Sequence, residues 1–421
     1  MDKRLYNQFI NILKEELVPA MGCTEPISVA YATAKAKEYL DGEATSAVLS
    51  VSPNILKNVK SVTVPHTGGL IGLKAAVLVG FVSGDASLEL SVLSNAKKED
   101  EKIIHEMMSS FPLKIEVSED EYVFDIAVKL ENEHSSSYVR IVDDHTKIIS
   151  IKKNEVEIYS QEVERKITVD KTLLTIENII KFANTLNVED VASTLNRQVE
   201  YNLAIATEGI NNKYGANIGK IYLSAGDPTP ERKAKAYAAA GSDARMNGCE
   251  MPVIINSGSG NQGLTCSVPV IVYAKENNRS NEDMLRALAV SNLVTIHLKT
   301  GIGTLSAYCG VVSAGAGAVA GISYLEGKSY EEIAHVIINC LAIDSGIICD
   351  GAKASCAAKI MASLETGFLG IRMQESNNNF YTGCGIVKEN VEETIRSVNR
   401  LASKGMRDTD KEIIKIMLEN E

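Results

Sequence analysis

The chain has 421 residues, 45% of them hydrophobic, with 54 acidic against 43 basic side chains and a formal net charge of -11. That length buries a large core and points to two domains, while the acidic balance, with no basic stripe to hold phosphates, excludes nucleic acid as a partner. Eight cysteines scattered over such a length do not form a disulfide framework, so unpaired thiols in a reducing, cytoplasmic setting are expected, as core filler, metal ligands or catalysts.

Residues 4–18 place Leu5, Phe9, Ile12, Leu13 and Leu17 at helical spacing, which predicts an amphipathic helix ending before Pro19 rather than a signal peptide. The stretch AMGCTEPIS then reads as a turn opening a second helix, with Thr24 as its cap and Pro26 in its first turn. Cys23 would stand at that helix N-terminus, where free N–H groups favour a thiolate. A reactive Cys23 and a cysteine packed into a helix start are both compatible with the pattern. Residues 46–51 (SAVLSV) predict a short strand, leading into SPNILKNVKSVTVPHTGGL. There Asn54, Lys57, Asn58, His66 and Thr67 are expected in turns beside Gly68 and Gly69, an arrangement that suits a small anionic substrate. His66 is a candidate general base or simply a solvated loop histidine.

From residue 84 the texture changes. Residues 84–110 predict a strand and a helix, and residues 111–160 alternate apolar and polar side chains between short turns, the pattern of an antiparallel sheet with one wetted face. His105, His134 and His145 lie among charges and are expected to face solvent. The fold expected is mostly α: a discontinuous helical catalytic domain (1–83 and 168–421) with an inserted smaller α+β domain (84–167).

Beyond 167 the helical period returns, interrupted at Gly209 and Gly215. Residues 255–265 (INSGSGNQGLT) form an uncharged glycine-rich loop between apolar runs. Its backbone N–H groups, with Ser257, Ser259, Asn261 and Gln262, suit a carboxylate; a purely structural loop is equally compatible. It is neither a dinucleotide fingerprint nor a Walker loop.

Residues 300–325 are long and uncharged enough to raise the question of a membrane span. Their Gly, Ala and Ser content, with no aromatic or basic belt, predicts a buried helix instead. Around this segment stand Cys309, Cys349 and Cys356, each next to a glycine, serine or aspartate. Three thiols on short, packed elements suit a cubane iron-sulfur cluster, whereas no C-x2-C pair or histidine pair marks a zinc site. Three ligands leave one iron open, as catalysis requires; the competing reading is buried apolar filler. On one helix Cys349 and Cys356 would be roughly 10 Å apart, so a bend at Cys349 is expected, before a helix capped by Asp350. Without that bend Cys356 is core and Cys23 is the next ligand. Cys249, Cys266 and Cys340 lie in apolar runs and are expected to be filler.

Taken together, GCTEP (22–26), SPNILKN (52–58), NSGSGNQG (256–263), LSAYCG (305–310) and CDGAKASCA (349–357) resemble the L-cysteine desulfidase family, which is related to the alpha chain of iron-sulfur L-serine dehydratases. The resemblance implies an oxygen-sensitive 4Fe-4S cluster and conversion of L-cysteine to hydrogen sulfide, ammonia and pyruvate. It assigns Cys309 and Cys349 to the cluster and Cys356 as its third thiol. Cys23 becomes either the catalytic base or the remaining ligand, and Asn261 a substrate contact. The C-terminal EIIKIMLENE lacks the terminal cysteine with which certain serine dehydratases plug the open iron. The chemistry expected is an α,β-elimination through aminoacrylate without pyridoxal phosphate, and a soft iron-sulfur centre suits a thiolate leaving group better than a hydroxyl. The alternatives are an L-serine dehydratase or related lyase on the same cluster, and a non-enzymatic small-molecule-binding protein. The small substrate is the expected partner, with no membrane and with homo-oligomerisation left open.

Overall fold

A computed structural model describes residues 1–419 except 22, 119, 121, 123, 163–168, 304 and 305. The expected boundary at 167/168, Gly22 of GCTEP and Leu305 of LSAYCG therefore lie outside the described residues. Asp2 caps α1 (Lys3–Glu16) by accepting from the Leu5 N–H, and the helix buries Phe9, Ile12 and Leu13. After β1 (Pro19–Met21) come α2 (Thr24–Glu38), β2 (Ser46–Val51), α3 (Pro53–Val59) and α4 (Gly72–Ser83). Ser52 caps α3 and Pro53 opens it, a pairing that stops the strand and starts the helix within two residues. Asn54, Lys57 and Asn58 thus sit on a helix, not in turns.

Residues 86–91, expected as a strand, form a 3-10 turn. Asp85 accepts from the Ser87 N–H and donates its own N–H to Val92 O, so local hydrogen bonds close the segment on itself before it can pair. Next are α5 (Asp100–Ser110), β3 (Leu113–Val117), β4 (Asp125–Glu131), β5 (Ser136–Val142), β6 (Ile148–Lys153) and β7 (Val156–Ser160). The sheet runs β3-β2-β4-β5-β6-β7. It is mixed rather than purely antiparallel, because β2 lies parallel to β3 and antiparallel to β4.

The remaining chain is helical: α6 (Ile176–Thr185), α7 (Glu189–Asn211), α8 (Ile218–Ser224), α9 (Pro230–Met246), the short β8 (Pro252–Ile254), α10 (Gly260–Glu276), α11 (Asn281–Thr300), α12 (Gly310–Leu325), α13 (Tyr330–Asp344), α14 (Cys356–Glu375), α15 (Val391–Arg400) and α16 (Arg407–Leu418). α7 runs through Gly209 without a break. α12, the Gly/Ala/Ser-rich segment, is buried nearly throughout; no helix among the described residues is long and apolar enough to cross a membrane.

The mostly α architecture with a smaller α+β part is as expected from the sequence. Two apolar cores underlie it. One gathers residues from α1 and from 169–402; the other runs continuously from Ile27 to Ile151. The sheet-bearing unit therefore takes in α2, β2 and α4, which the sequence grouped with the helical domain. Pairing of β2 with two partners far along the chain is the reason. β1 pairs with β8 and Ala20 ends this part of the helical core; Cys23 packs with Val62 and Met246 in a small cluster before the second core begins at Ile27.

Candidate active site

Two short segments set the first pair of thiols. Tyr308 and Ile348 form an antiparallel bridge, flanked by hydrogen bonds from Cys309 N to Ile347 O (3.0 Å) and from Cys349 N to Ala307 O (2.6 Å). Cys309, the N-cap of α12, is thereby fixed beside Cys349, and its thiol hydrogen-bonds the Cys349 sulfur. That contact lowers the pKa of the Cys349 thiol against its burial, with the Lys57 ammonium helping, and pushes Cys309 up.

The bend after Cys349 is real. Gly351 has φ of +94°, and a Cβ there would lie 2.3 Å from Lys57 O, so only glycine lets the loop turn against α3. The helix that follows starts at Cys356, not at Gly351, and its N-cap is Ser355. Asp350, expected as the cap, instead pairs with Lys353 (2.6 Å) and with Lys359. Cys349 and Cys356 therefore do not share a helix, and the two-turn separation does not apply. All three thiols line one cavity of about 90 Å³.

The opposite wall comes from α2, α3 and the start of α10. Cys23 is the N-cap of α2 and Thr24 its first residue, the reverse of the expected capping; the Thr24 hydroxyl donates to Glu25 Oε2 (3.0 Å) and to Gly258 O (3.1 Å). Nor is Cys23 an activated thiolate. Burial, and then the Glu25 carboxylate, push its thiol well up, outweighing the helix terminus, and Sγ donates to Glu25 Oε2 at 3.1 Å. Glu25 Oε1 accepts from Asn58 Nδ2 at 3.1 Å. Ser259 caps α10 by accepting from the Gln262 N–H, and Ser257, Ser259, Asn261 and Gln262 all line the cavity.

Two candidates do not reach it. Asn54 is on α3 but absent from the lining. His66, at φ of +56°, sits 3.3 Å from Glu250 through Nδ1; the turn beside Gly68 and Gly69 carries it away from the thiols.

Several lining residues were not read from the sequence as site residues: Glu25, quoted only within GCTEP, His145, Arg245 and Lys299. His145, expected in solvent, is buried, edge-on to Phe124 at 4.8 Å between ring centroids, with its carbonyl accepting from Ser28 Oγ at 2.6 Å. Its DDHTK surroundings look like any polar turn, and only docking of the sheet onto α2 covers it. Arg245 and Lys299 each fall in the last turn of a helix, where a basic residue ordinarily needs no further reason. Both are buried, and burial pushes Lys299 down to about 8 although the Cys349 and Cys309 sulfurs act the other way. A larger cavity of about 650 Å³ shares His145, Ser257, Gly258 and Lys299 with the thiol cavity. It draws its lining from both cores and supplies a route inward.

Among the described residues no three His, Cys, Asp or Glu side chains converge closely enough to hold a single metal ion. A cubane asks for something else, one thiolate per iron at separate corners. Cys309, Cys349 and Cys356 are free thiols around a shared space, and Lys57 and Lys299 put positive charge on Cys349. That soft donor set fits an iron-sulfur cluster.

The family model described as the serine dehydratase alpha chain matches residues 87–415. The chain belongs to that family. A UPF0597 protein of Desulfitobacterium hafniense is 49% identical over 418 residues, 99% of this chain and 97% of the relative. UPF0597 proteins of Lachnoclostridium phytofermentans, 46% identical over 98% of this chain and all of the relative, and of Treponema denticola, 41% identical over the whole of both, are similar at full length. The stretch matched by the serine dehydratase alpha-chain family carries the three thiols and the α10 loop. Cys23, Glu25 and Asn58 precede it, on the part of this chain that the UPF0597 relatives also cover.

Proposed function

We propose that the protein is a pyridoxal-phosphate-independent carbon-sulfur lyase, an L-cysteine desulfidase, with a 4Fe-4S cluster held by Cys309, Cys349 and Cys356. The observation that carries this reading is the meeting of Cys309 and Cys349 across the Tyr308–Ile348 bridge in a cavity that also exposes Cys356, Cys23 and the α10 N-terminus. Membership of a dehydratase family supports elimination as the reaction class. Free cysteines throughout suit a reducing cytoplasmic setting.

When bound, such a cluster supplies a Lewis-acidic iron without a protein thiolate, which draws charge from the leaving heteroatom. The chain's own groups do the rest. The backbone N–H groups and side chains of Ser257, Ser259, Asn261 and Gln262 orient the amino acid. Cys23 and Glu25, joined by one hydrogen bond, act as a relay: the Sγ proton passes to the Glu25 carboxylate, and the thiolate so formed takes the substrate's Cα proton. The Cβ–S bond breaks with its electron pair leaving on sulfur, which departs as hydrogen sulfide once protonated, and the electron pair of the Cα–H bond becomes the Cα–Cβ double bond of aminoacrylate. Released into water, aminoacrylate tautomerises to the imine and hydrolyses to pyruvate and ammonia.

L-Serine dehydration on the same residues is the second reading, favoured by the family's description. Anaerobically reconstituted protein given each amino acid separates them. Sulfide release from L-cysteine at a higher kcat/KM than pyruvate formation from L-serine is expected; the reverse order overturns the choice of substrate.

A further inference from the structure

Arg245 ends α9 with its side chain 2% exposed, and its Nε has no hydrogen-bond partner. No carboxylate among the described residues forms an ion pair with it. A buried guanidinium in that condition is costly, since desolvation of a charge is offset only by an opposite charge or by full hydrogen bonding. Its surroundings make the cost greater. A Cβ at Gly260, the first residue of α10, would lie 2.3 Å from Arg245 Nε and 2.6 Å from Cζ. Glycine there lets the N-terminus of a 17-residue helix, itself the positive end of a macrodipole, close directly onto the guanidinium. Two like-signed groups pressed together beside one cavity are an arrangement that an anion stabilises. Cys23 feels that charge, but its proton is in place and donated to Glu25, and the Glu25 carboxylate on the same wall accepts instead from Thr24 and Asn58.

We infer that Arg245 anchors the α-carboxylate of the substrate against the α10 N-terminus, which makes the cavity selective for α-amino acids over the corresponding amines. The planar fork of N–H donors on arginine matches a carboxylate, which a point charge does not. Three further orphaned acceptors on the same walls, Asn58 Oδ1, Asn261 Oδ1 and Gln262 Oε1, complete the match, because they suit the substrate's ammonium.

This inference rests on reading the cavity as that of an amino-acid lyase, and the test separates the two. The probes are L-alanine, which has no leaving group and so binds without reacting, and ethylamine, its counterpart without the carboxylate. Calorimetric titration of the anaerobic, cluster-loaded protein should show L-alanine binding roughly 10- to 150-fold more tightly than ethylamine, the range of a charged hydrogen-bonded contact. In Arg245→Met that preference should vanish, and Arg245→Lys should keep part of it. Equal binding of the two probes by the wild-type protein overturns the inference without recourse to any variant, as does an Arg245→Met protein that keeps the preference. If the preference and its dependence on Arg245 are found but neither L-cysteine nor L-serine is consumed, the lyase reading fails and the anchor stands. If turnover is found with kcat/KM unchanged in Arg245→Met, the lyase reading stands and the anchor fails.

Discussion

The Cys23 thiol has two neighbours with opposite effects, Glu25 raising its pKa and Arg245 lowering it, and its catalytic part is separable from any part in holding iron. Cys23→Ala is expected to lower turnover by at least about 100-fold, the smaller end of what a positioned acid or base contributes, with iron content unchanged. Loss of iron together with turnover would make Cys23 a ligand and leave the base unassigned. Asp243, 1% exposed on α9, gives a second residue-scale expectation. Burial pushes its carboxyl up to about 6, although hydrogen bonds from the Gly219 and Ile218 N–H groups oppose the rise. The folded chain thus holds this proton at a pH where the unfolded chain, near 4, has lost it. The contribution of Asp243 to stability is therefore fully present below about 4 and is lost as pH rises through about 6, by roughly 3 kcal/mol for a shift of about two units. Asp344 shifts in the same direction, so Asp243→Asn should make the change in urea midpoint between about pH 4 and about pH 6 less negative than in the wild-type protein without abolishing the Asp344 part. An undiminished decline would show that Asp243 does not titrate as stated. At this scale the sequence exposes the three thiols and the serines and amides of the α10 loop, because their residue types are unusual where they stand. It hides Arg245 and Lys299, because a base in a helix's last turn is commonplace, and it misplaces His66, whose φ carries it elsewhere.

Among the elements, α3 is the strut behind the site. Lys57, 2% exposed, donates to Cys349 O at 3.4 Å and pairs with Asp410 of α16 at 2.5 Å, while Lys60 donates to Met417 O at 2.6 Å. Two lysines one helical turn apart thereby clamp the C-terminal helix over the Cys349 loop. Lys57→Met leaves the mostly buried Asp410 carboxylate unpaired, at a cost of about 3 kcal/mol. Faster amide hydrogen exchange throughout α16, with α11 and α12 unchanged, is expected; unaltered protection of α16 would show that the clamp is not what holds it. Amphipathic periodicity made α1 legible within two residues at either end, and composition made α12 legible as a buried helix. The start of α14 was not, since Asp350 is as good a cap by type as Ser355 and only its pairing with Lys353 and Lys359 removes it from that role. The 3-10 turn at 86–91 escaped because alternation over six residues says nothing of whether a partner strand is within reach.

In the whole molecule Cys309 and Cys349 belong to the helical core, Cys356 packs with Cys23, Val62 and Met246 in a small cluster of its own, and Glu25, Asn58 and His145 come from the chain segment that builds the sheet core. The site exists only where the two meet, at the point where β1 hands over to α2. Hydropathy and alternation divide the chain into helical and sheet-bearing parts, but which strands pair, and which helices the sheet recruits, depends on contacts far apart in sequence. That is why β2 was legible as a strand and not as a member of this sheet. The claim on which all else depends is that Cys309, Cys349 and Cys356 hold one inorganic core. Iron and acid-labile sulfide per chain, counted after anaerobic reconstitution of the wild-type protein and of Cys309→Ala, Cys349→Ala and Cys356→Ala, test it most directly. About four irons per wild-type chain are expected, as a cubane requires, with a marked loss in each variant. A wild-type protein that retains no iron, or three variants that retain all of it, would contradict the claim.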